Sequence, residues 1–283
     1  MYYVWYNDPD EETLFELFPF RYLMEVSMQE LEMPNIADES PAKSVVQVYF
    51  RAKNTRLAYF NDLFDLHVGD IVYVEGKLEG LRGEVVEVTH DFKIKVSEYK
   101  RVIGKADTAV TGTLYMAGSH FVAFSPDVIP FEKVLTWYKA PEKEGDEYVT
   151  GNGEMSFSLD DLGGMHIRGE IAERGRDYYL QNKVRYISVD GIHGHAIVEG
   201  SMAYTADFTY EDGQIRNLVC DCFCSYTCKH EFAAMLQLRE TLEIIEENYS
   251  DRMNGYFAAI SKSDFFGFAV DGKGVGSLSL GDA

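Results

Sequence analysis

All four cysteines of this 283-residue chain lie within the nine residues from Cys220 to Cys228, and His230 follows in the same segment, NLVCDCFCSYTCKHEFAAML. A disulfide scaffold spreads its cysteines so as to close loops along the chain. Thiols crowded this tightly read instead as ligands for a metal ion. Residues at i and i+2 of an extended segment lie on one face, so a C-x-C pair at a strand end aims two sulfurs at one point. The C-K-H run then supplies a thiolate and an imidazole where a helical pattern begins. The positive field of a helix start, together with Lys229, favours the thiolate form of Cys228. Three thiolates and one imidazole fill a tetrahedral shell for Zn2+, with Zn–S near ~2.3 Å and Zn–N near ~2.0–2.1 Å.

Four cysteines compete for three sulfur positions. Pairing Cys220 with Cys222 leaves five residues before Cys228. Pairing Cys222 with Cys224 leaves only Ser225 to Thr227, a tight loop around an ion. The expected ligands are Cys220, Cys222, Cys228 and His230, with Cys224 as the alternative ligand. Such a site has no open position for water and is expected to be architectural, so the chain is not expected to be an enzyme. Other patterns do not change this. His230-Glu231 begins like H-E-x-x-H, but Ala234 stands where the second histidine belongs. The H-x-E and P-C-x-x-C signatures of zinc deaminases are missing, as is G-x-x-x-x-G-K-[ST]. His193 and His195 read as part of an exposed turn, Tyr178 and Tyr179 as packing residues, and the glycines of DGKGVG near the C-terminus as a flexible turn.

The rest of the chain bounds the setting. Apolar residues make up 46% and aromatics 14%, enough for a globular core. The formal charge is −21, which repels a phosphate backbone and argues against general nucleic-acid binding. Acid concentrates in residues 1–40, where Asp8, Asp10, Glu11 and Glu12 face Arg21 as the only base. Residues from about Met165 to Arg239 are nearly balanced. The start lacks the basic and apolar regions of a signal peptide, and no apolar run approaches a membrane span. The expectation is a soluble cytoplasmic protein with no membrane contact.

Along the chain, Tyr2 to Tyr6 reads as a strand, Glu11 to Phe18 as one or two helical turns, Arg21 to Leu31 as a strand or helix, and Pro34 to Pro41 as a loop. From Ser44 the period becomes two. VVQVYFRA, RLAYF, DIVYVEG, GEVVEVTH and FKIKVSEYKRVI read as short strands, and close spacing of this kind suggests a small barrel. VTGTLYMAG and HFVAFSP suggest one more hairpin. Residues 139–154, charged and containing Pro and Gly, read as a linker. Beyond it come a short helix near Ile171 to Arg176, then the strands KVRYISV, HAIVEG, AYTADFTY and QIRNLVC, with turns at Asp190-Gly191 and Asp212-Gly213. A long helix follows His230, with Phe232, Met235, Leu236, Leu242, Ile244 and Ile245 in one apolar stripe. YFAAI near the end reads as a further short helix. The expected fold class is α+β: residues 1–148 as a β-rich, barrel-like or SH3-like domain with its core near 44–104, and 149–283 as the zinc-bearing domain with its core near 204–240.

The segment from Cys220 to the apolar helix resembles a SWIM zinc finger, whose pattern is C-x-C, a spacer, then C-x-H and a helix. ERGRDYYLQNKV, HAIVEGSMAYTADF and EDGQIRNLVCDC resemble the stretches that precede the cysteines in bacterial members, so the likeness covers about residues 165–245. The departure is Cys224, an extra thiol inside a short spacer. Residues 44–103 resemble the polymerase-suppressor C-terminal domain through Gly69-Asp70-Ile71-Val72-Tyr73-Val74-Glu75 and Gly83-Glu84-Val85, a pattern shared with SH3-like barrels. The SWIM likeness implies a zinc-dependent module contacting DNA or proteins. The charge favours a protein partner, with nucleic acid confined to the C-terminal half. A thiol-based redox or metal sensor, with Cys224 as the reactive sulfur, is the alternative.

Overall fold

The computed structural model describes residues 41–142, 155–222, 224–270 and 278–280. The readings for residues 1–40, most of the 139–154 linker and the DGKGVG turn lie outside these.

The alternating segment from Ser44 builds a five-stranded antiparallel sheet from β1 (Ser44–Phe50), β2 (Thr55–Asn61), β3 (Ile71–Val74), β4 (Gly83–Thr89) and β5 (Val102–Lys105), in the order β2-β1-β4-β3-β5. In β1 every second side chain is buried, and Val46, Val48 and Phe50 have no exposed surface. The hairpin from β1 to β2 closes on Asn54 in the left-handed region, which asparagine tolerates. Gly83 lets β4 approach β1: a Cβ there would lie 2.2 Å from Val48.

This sheet is not a barrel, contrary to the expectation for this half. Its edges, β2 and β5, meet only at a single bridge between Phe60 and Arg101, where the Phe60 N–H donates to the Lys100 carbonyl at 2.9 Å. Closure needs a continuous, staggered ladder. FKIKVSEYKRVI was expected to supply a whole strand, but it turns through a 3-10 segment at Val96–Glu98, and strand pairing begins only at Val102. Too little extended chain remains to complete a ladder with β2.

The second sheet has nine strands, drawn from both sides of residue 149. Its members are β6 (Gly112–Ala117), β7 (His120–Ala123), β8 (Ser156–Ser158), β9 (Val184–Asp190), β10 (His193–Glu199), β11 (Ala203–Glu211), β12 (Gln214–Cys220), β13 (Tyr256–Ser261) and β14 (Leu278–Leu280), in the order β14-β6-β7-β13-β9-β10-β11-β12-β8. All neighbours are antiparallel except β14 and β6. The helices are α1 (Phe131–Leu135), α2 (Gly169–Leu180), α3 (Lys229–Tyr249) and α4 (Lys262–Phe265).

Both faces of this sheet are covered. On one, Val122, Ile187, Val198, Ala206 and Phe257 pack with Met235, Leu238 and Ile245 of α3, and α2 packs on α3. On the other, Leu114, Tyr186, Ile197 and Ile260 pack with Val134, Trp137 and Phe265. YFAAI, expected as a helix, is the central strand β13, and all six of its residues are buried. A strand covered on both faces shows no polar alternation, so its apolar run cannot be told from a buried helix by period alone. Among the described residues no helix is long and apolar enough to cross a membrane.

Candidate metal centre

The cysteines stand where an edge of the nine-stranded sheet meets the helix that covers it. Cys220 is the last residue of β12 and pairs with Ala206 of β11. Cys222 lies just beyond the strand end. Cys228 is the N-cap of α3, and His230 sits in the first turn of that helix. The cap uses sulfur: the Glu231 N–H points at Cys228 Sγ at 3.4 Å, while the Glu231 carboxylate accepts from the Cys228 N–H at 2.8 Å. This reciprocal pair satisfies two of the free donors at a helix start. It also fixes the direction of the Cys228 side chain, and His230, two residues on in the first turn, brings its Nδ1 to 3.8 Å from the same sulfur.

The ligand atoms of Cys220, Cys222, Cys228 and His230 all lie within 4.8 Å of one another, the only such group of His, Cys, Asp or Glu among the described residues. His230 Nδ1 is 3.9 Å from Cys220 Sγ and 3.8 Å from Cys228 Sγ, near the ~3.5–3.8 Å edges of a tetrahedron with metal–ligand bonds of ~2.0–2.3 Å. Cys228 and His230 are buried, Cys220 and Cys222 half-buried. Cys224 is exposed and outside the group. These four residues can therefore hold a metal ion.

The electrostatics agree with a cation site. Cys228 is held down to about 4 by the hydrogen bond it accepts from Cys220, with further help from His230. Cys220 is pushed far up by its interaction with Cys228 and by burial. Burial pushes Cys222 up to about 12, and the charge on Cys228 adds to it. Burial, then the same charge, pushes the Glu231 carboxyl up to about 8. Charge on Cys228 disfavours further thiolates beside it, and a cation among the sulfurs would offset that repulsion.

Neighbouring side chains shape the site. The His230 ring stacks on Tyr204 at 4.4 Å and tilts against Tyr178 of α2 at 5.5 Å, and its Nε2 is buried without a partner. Gly200 makes room for it: a Cβ there would lie 3.2 Å from Nε2 and 2.8 Å from the Tyr204 ring. Gly175 lets α2 close onto the start of α3, since a Cβ would meet the Lys229 carbonyl and the Phe232 ring, each at 2.9 Å. Asp221, between the two C-x-C cysteines, accepts from the Thr205 N–H at 2.9 Å and the Thr205 hydroxyl at 2.7 Å, and pairs with Lys139. It anchors the C-x-C turn to β11. Asp221→Ala is expected to weaken metal affinity ~10-fold or more, as loss of groups that orient ligands does; competition with a chromophoric chelator measures it. Tyr178 was legible only as a packing residue. Asp221, Thr205 and Lys139 carried no sequence signal, because their meeting depends on strand pairing.

The other sequence candidates fall elsewhere. His193 and His195 stand on β10, not in the turn, which is Gly191 and Ile192. His195 Nδ1 lies 2.8 Å from Asp207, which faces it on β11, and its ring stacks on Phe131 at 4.3 Å. Gly194 between them faces Phe208, whose ring would be 2.0 Å from a Cβ. Glu231 serves the helix cap.

What the fold and the site define together is an α+β protein with a group of three cysteines and one histidine suggestive of zinc binding. The chain matches no protein-family model, no curated protein and no solved structure.

Proposed function

We propose that this protein is a zinc-stabilised, non-catalytic interaction module of the SWIM kind, with Cys220, Cys222, Cys228 and His230 as ligands. The observation that carries the reading is the convergence of three sulfurs and one imidazole nitrogen at a strand-to-helix junction. Tetrahedral sites of sulfur with one nitrogen suit Zn2+ above other common divalent metals. Four protein ligands leave no place for a reacting water, which supports an architectural role. The order C-x-C, spacer, C-x-H and apolar helix supports the SWIM assignment. The net charge of −21 makes a protein the favoured partner, with nucleic acid confined to the C-terminal half. Four free thiols suit a reducing compartment such as the cytoplasm.

Bound there, the ion supplies folding energy by balancing thiolate charge. The protein holds β12 and the start of α3 in place around it. Elemental analysis of the purified protein is expected to find one zinc per chain, lost in Cys228→Ser; protein that folds and takes up no zinc would falsify the reading.

The exposure of Cys224 favours a second reading, a thiol sensor. Cys224→Ser separates the two. The module should keep its zinc and change stability by less than ~0.5 kcal/mol, as exposed positions do. A sensor would lose oxidant-triggered zinc release, followed with a zinc-responsive dye.

A further inference from the structure

We propose that the groove between β8 and the cysteine spacer is a docking site for an extended acidic peptide with a large apolar side chain. The groove has a volume of about 500 Å3. Met155 and the edge of β8 form one wall, Ile167 and Arg168 lead into α2, and Tyr226 and Thr227 of the spacer form the other wall. The inference rests on the metal reading, because that second wall ends at Cys228.

Three observations point to this occupant. The first is apolar surface left in water: Met155 is 40% exposed and Tyr226 54%, beside the half-buried Ile167. The second is charge. The chain has 47 acidic residues against 26 Lys and Arg. Yet among the described residues no carboxylate lines this groove, and the positively charged side chain there is Arg168. The Arg168 guanidinium lies 5.1 Å above the Tyr226 ring, which orients it while leaving its N–H edge for a carboxylate. The third is backbone. Among the described residues β8 pairs only with β12 and ends the sheet; its Ser158 carbonyl accepts from the Asp161 N–H at 3.1 Å, so the part of the edge open to an added strand is the Ser156 end, where the groove lies.

The spacer wall is held in two ways. The Thr227 hydroxyl donates to the Met165 carbonyl at 3.2 Å, and Cys228 follows immediately as a candidate metal ligand. Metal loss would therefore release Tyr226, and docking should depend on zinc. A nucleic acid would also find a base platform and an arginine here. The long-range field of a −21 molecule opposes a phosphate chain far more than a peptide with one or two carboxylates next to Arg168.

The test is selection from displayed random peptides of roughly ten residues on the intact zinc-loaded protein, followed by anisotropy of a labelled selected peptide. Expected sequences place an aromatic or long aliphatic residue beside Asp or Glu. Arg168→Glu and Tyr226→Ala should each weaken binding ~10-fold or more with zinc content unchanged, and chelation should abolish it. No enriched sequence, affinity indifferent to both substitutions, or an oligothymidylate that binds more tightly through the same two residues would overturn the docking site. A protein purified without zinc would instead refute the metal reading, so the two failures are separable.

Discussion

Stripping the metal, or replacing Cys228 by serine, is expected to open the region from the end of β12 through the first turns of α3 while the middle of the nine-stranded sheet stays folded. Serine is a good helix N-cap, so Cys228→Ser keeps the cap to Glu231 and removes only the sulfur from the ligand set. The expected effect is large because each metal-ligand bond counts toward folding: apparent binding free energies of small structural zinc sites are on the order of 10–16 kcal/mol near neutral pH. It stays local because α3 has its own anchorage. Met235, Leu238 and Ile245 are buried against the sheet, and the Tyr249 hydroxyl donates to the Met116 carbonyl at 3.0 Å. Hydrogen exchange is the measurement. Amides at the end of β12 and the start of α3 should exchange faster by ~100-fold or more, the factor for a local loss of about 3 kcal/mol, while β9 and β13 keep their protection. Equal protection in metal-free and metal-loaded protein would show that the sulfurs contribute nothing to the fold.

Phe257→Ala is expected to cost about 3–5 kcal/mol, the range for deleting a fully buried aromatic side chain. Phe257 has no exposed surface and lies in the core between the sheet and α3. Denaturant unfolding measures the loss, and Leu57→Ala is the comparison: at 44% exposed on edge strand β2, it should move stability far less. A second pair examines the strand itself. Ala258 and Ala259 are both fully buried and belong to the cores on opposite faces of the sheet. Aspartate at either buries a charge without a partner and should be strongly destabilising. Tolerance at one of the two would mean that β13 is covered on one face only.

The cluster of three cysteines and one histidine was readable because its geometry is local. Two residues span a strand's repeat and two more span part of a helical turn, so C-x-C and C-x-H each place their donors without help from distant chain. The β9 to β12 meander was legible for the same reason, its turns marked by Asp190-Gly191 and Asp212-Gly213, with Asp212 and both glycines at positive φ. Helix α3 announced itself by its apolar stripe. The spacing did not decide between Cys222 with Cys224 and Cys220 with Cys222. In the fold, β12 pairing places Cys220 beside His230 and leaves Cys224 in solvent.

What the sequence determined by itself, then, was the set of short-range choices: alternation, turn chemistry, the helix start and the crowding of thiols. Tertiary structure alone decided that β13 is a strand between β7 and β9, that β6 and β7 join the sheet of the C-terminal half, that the first sheet stays open, and that Asp221 meets Lys139 and Thr205. The physical reason is that these outcomes depend on which surfaces bury one another across long stretches of chain. An apolar run of five residues such as YFAAI satisfies a helix or a strand equally until a partner on each face selects one, and a strand edge closes or stays open according to chain that lies far away in sequence.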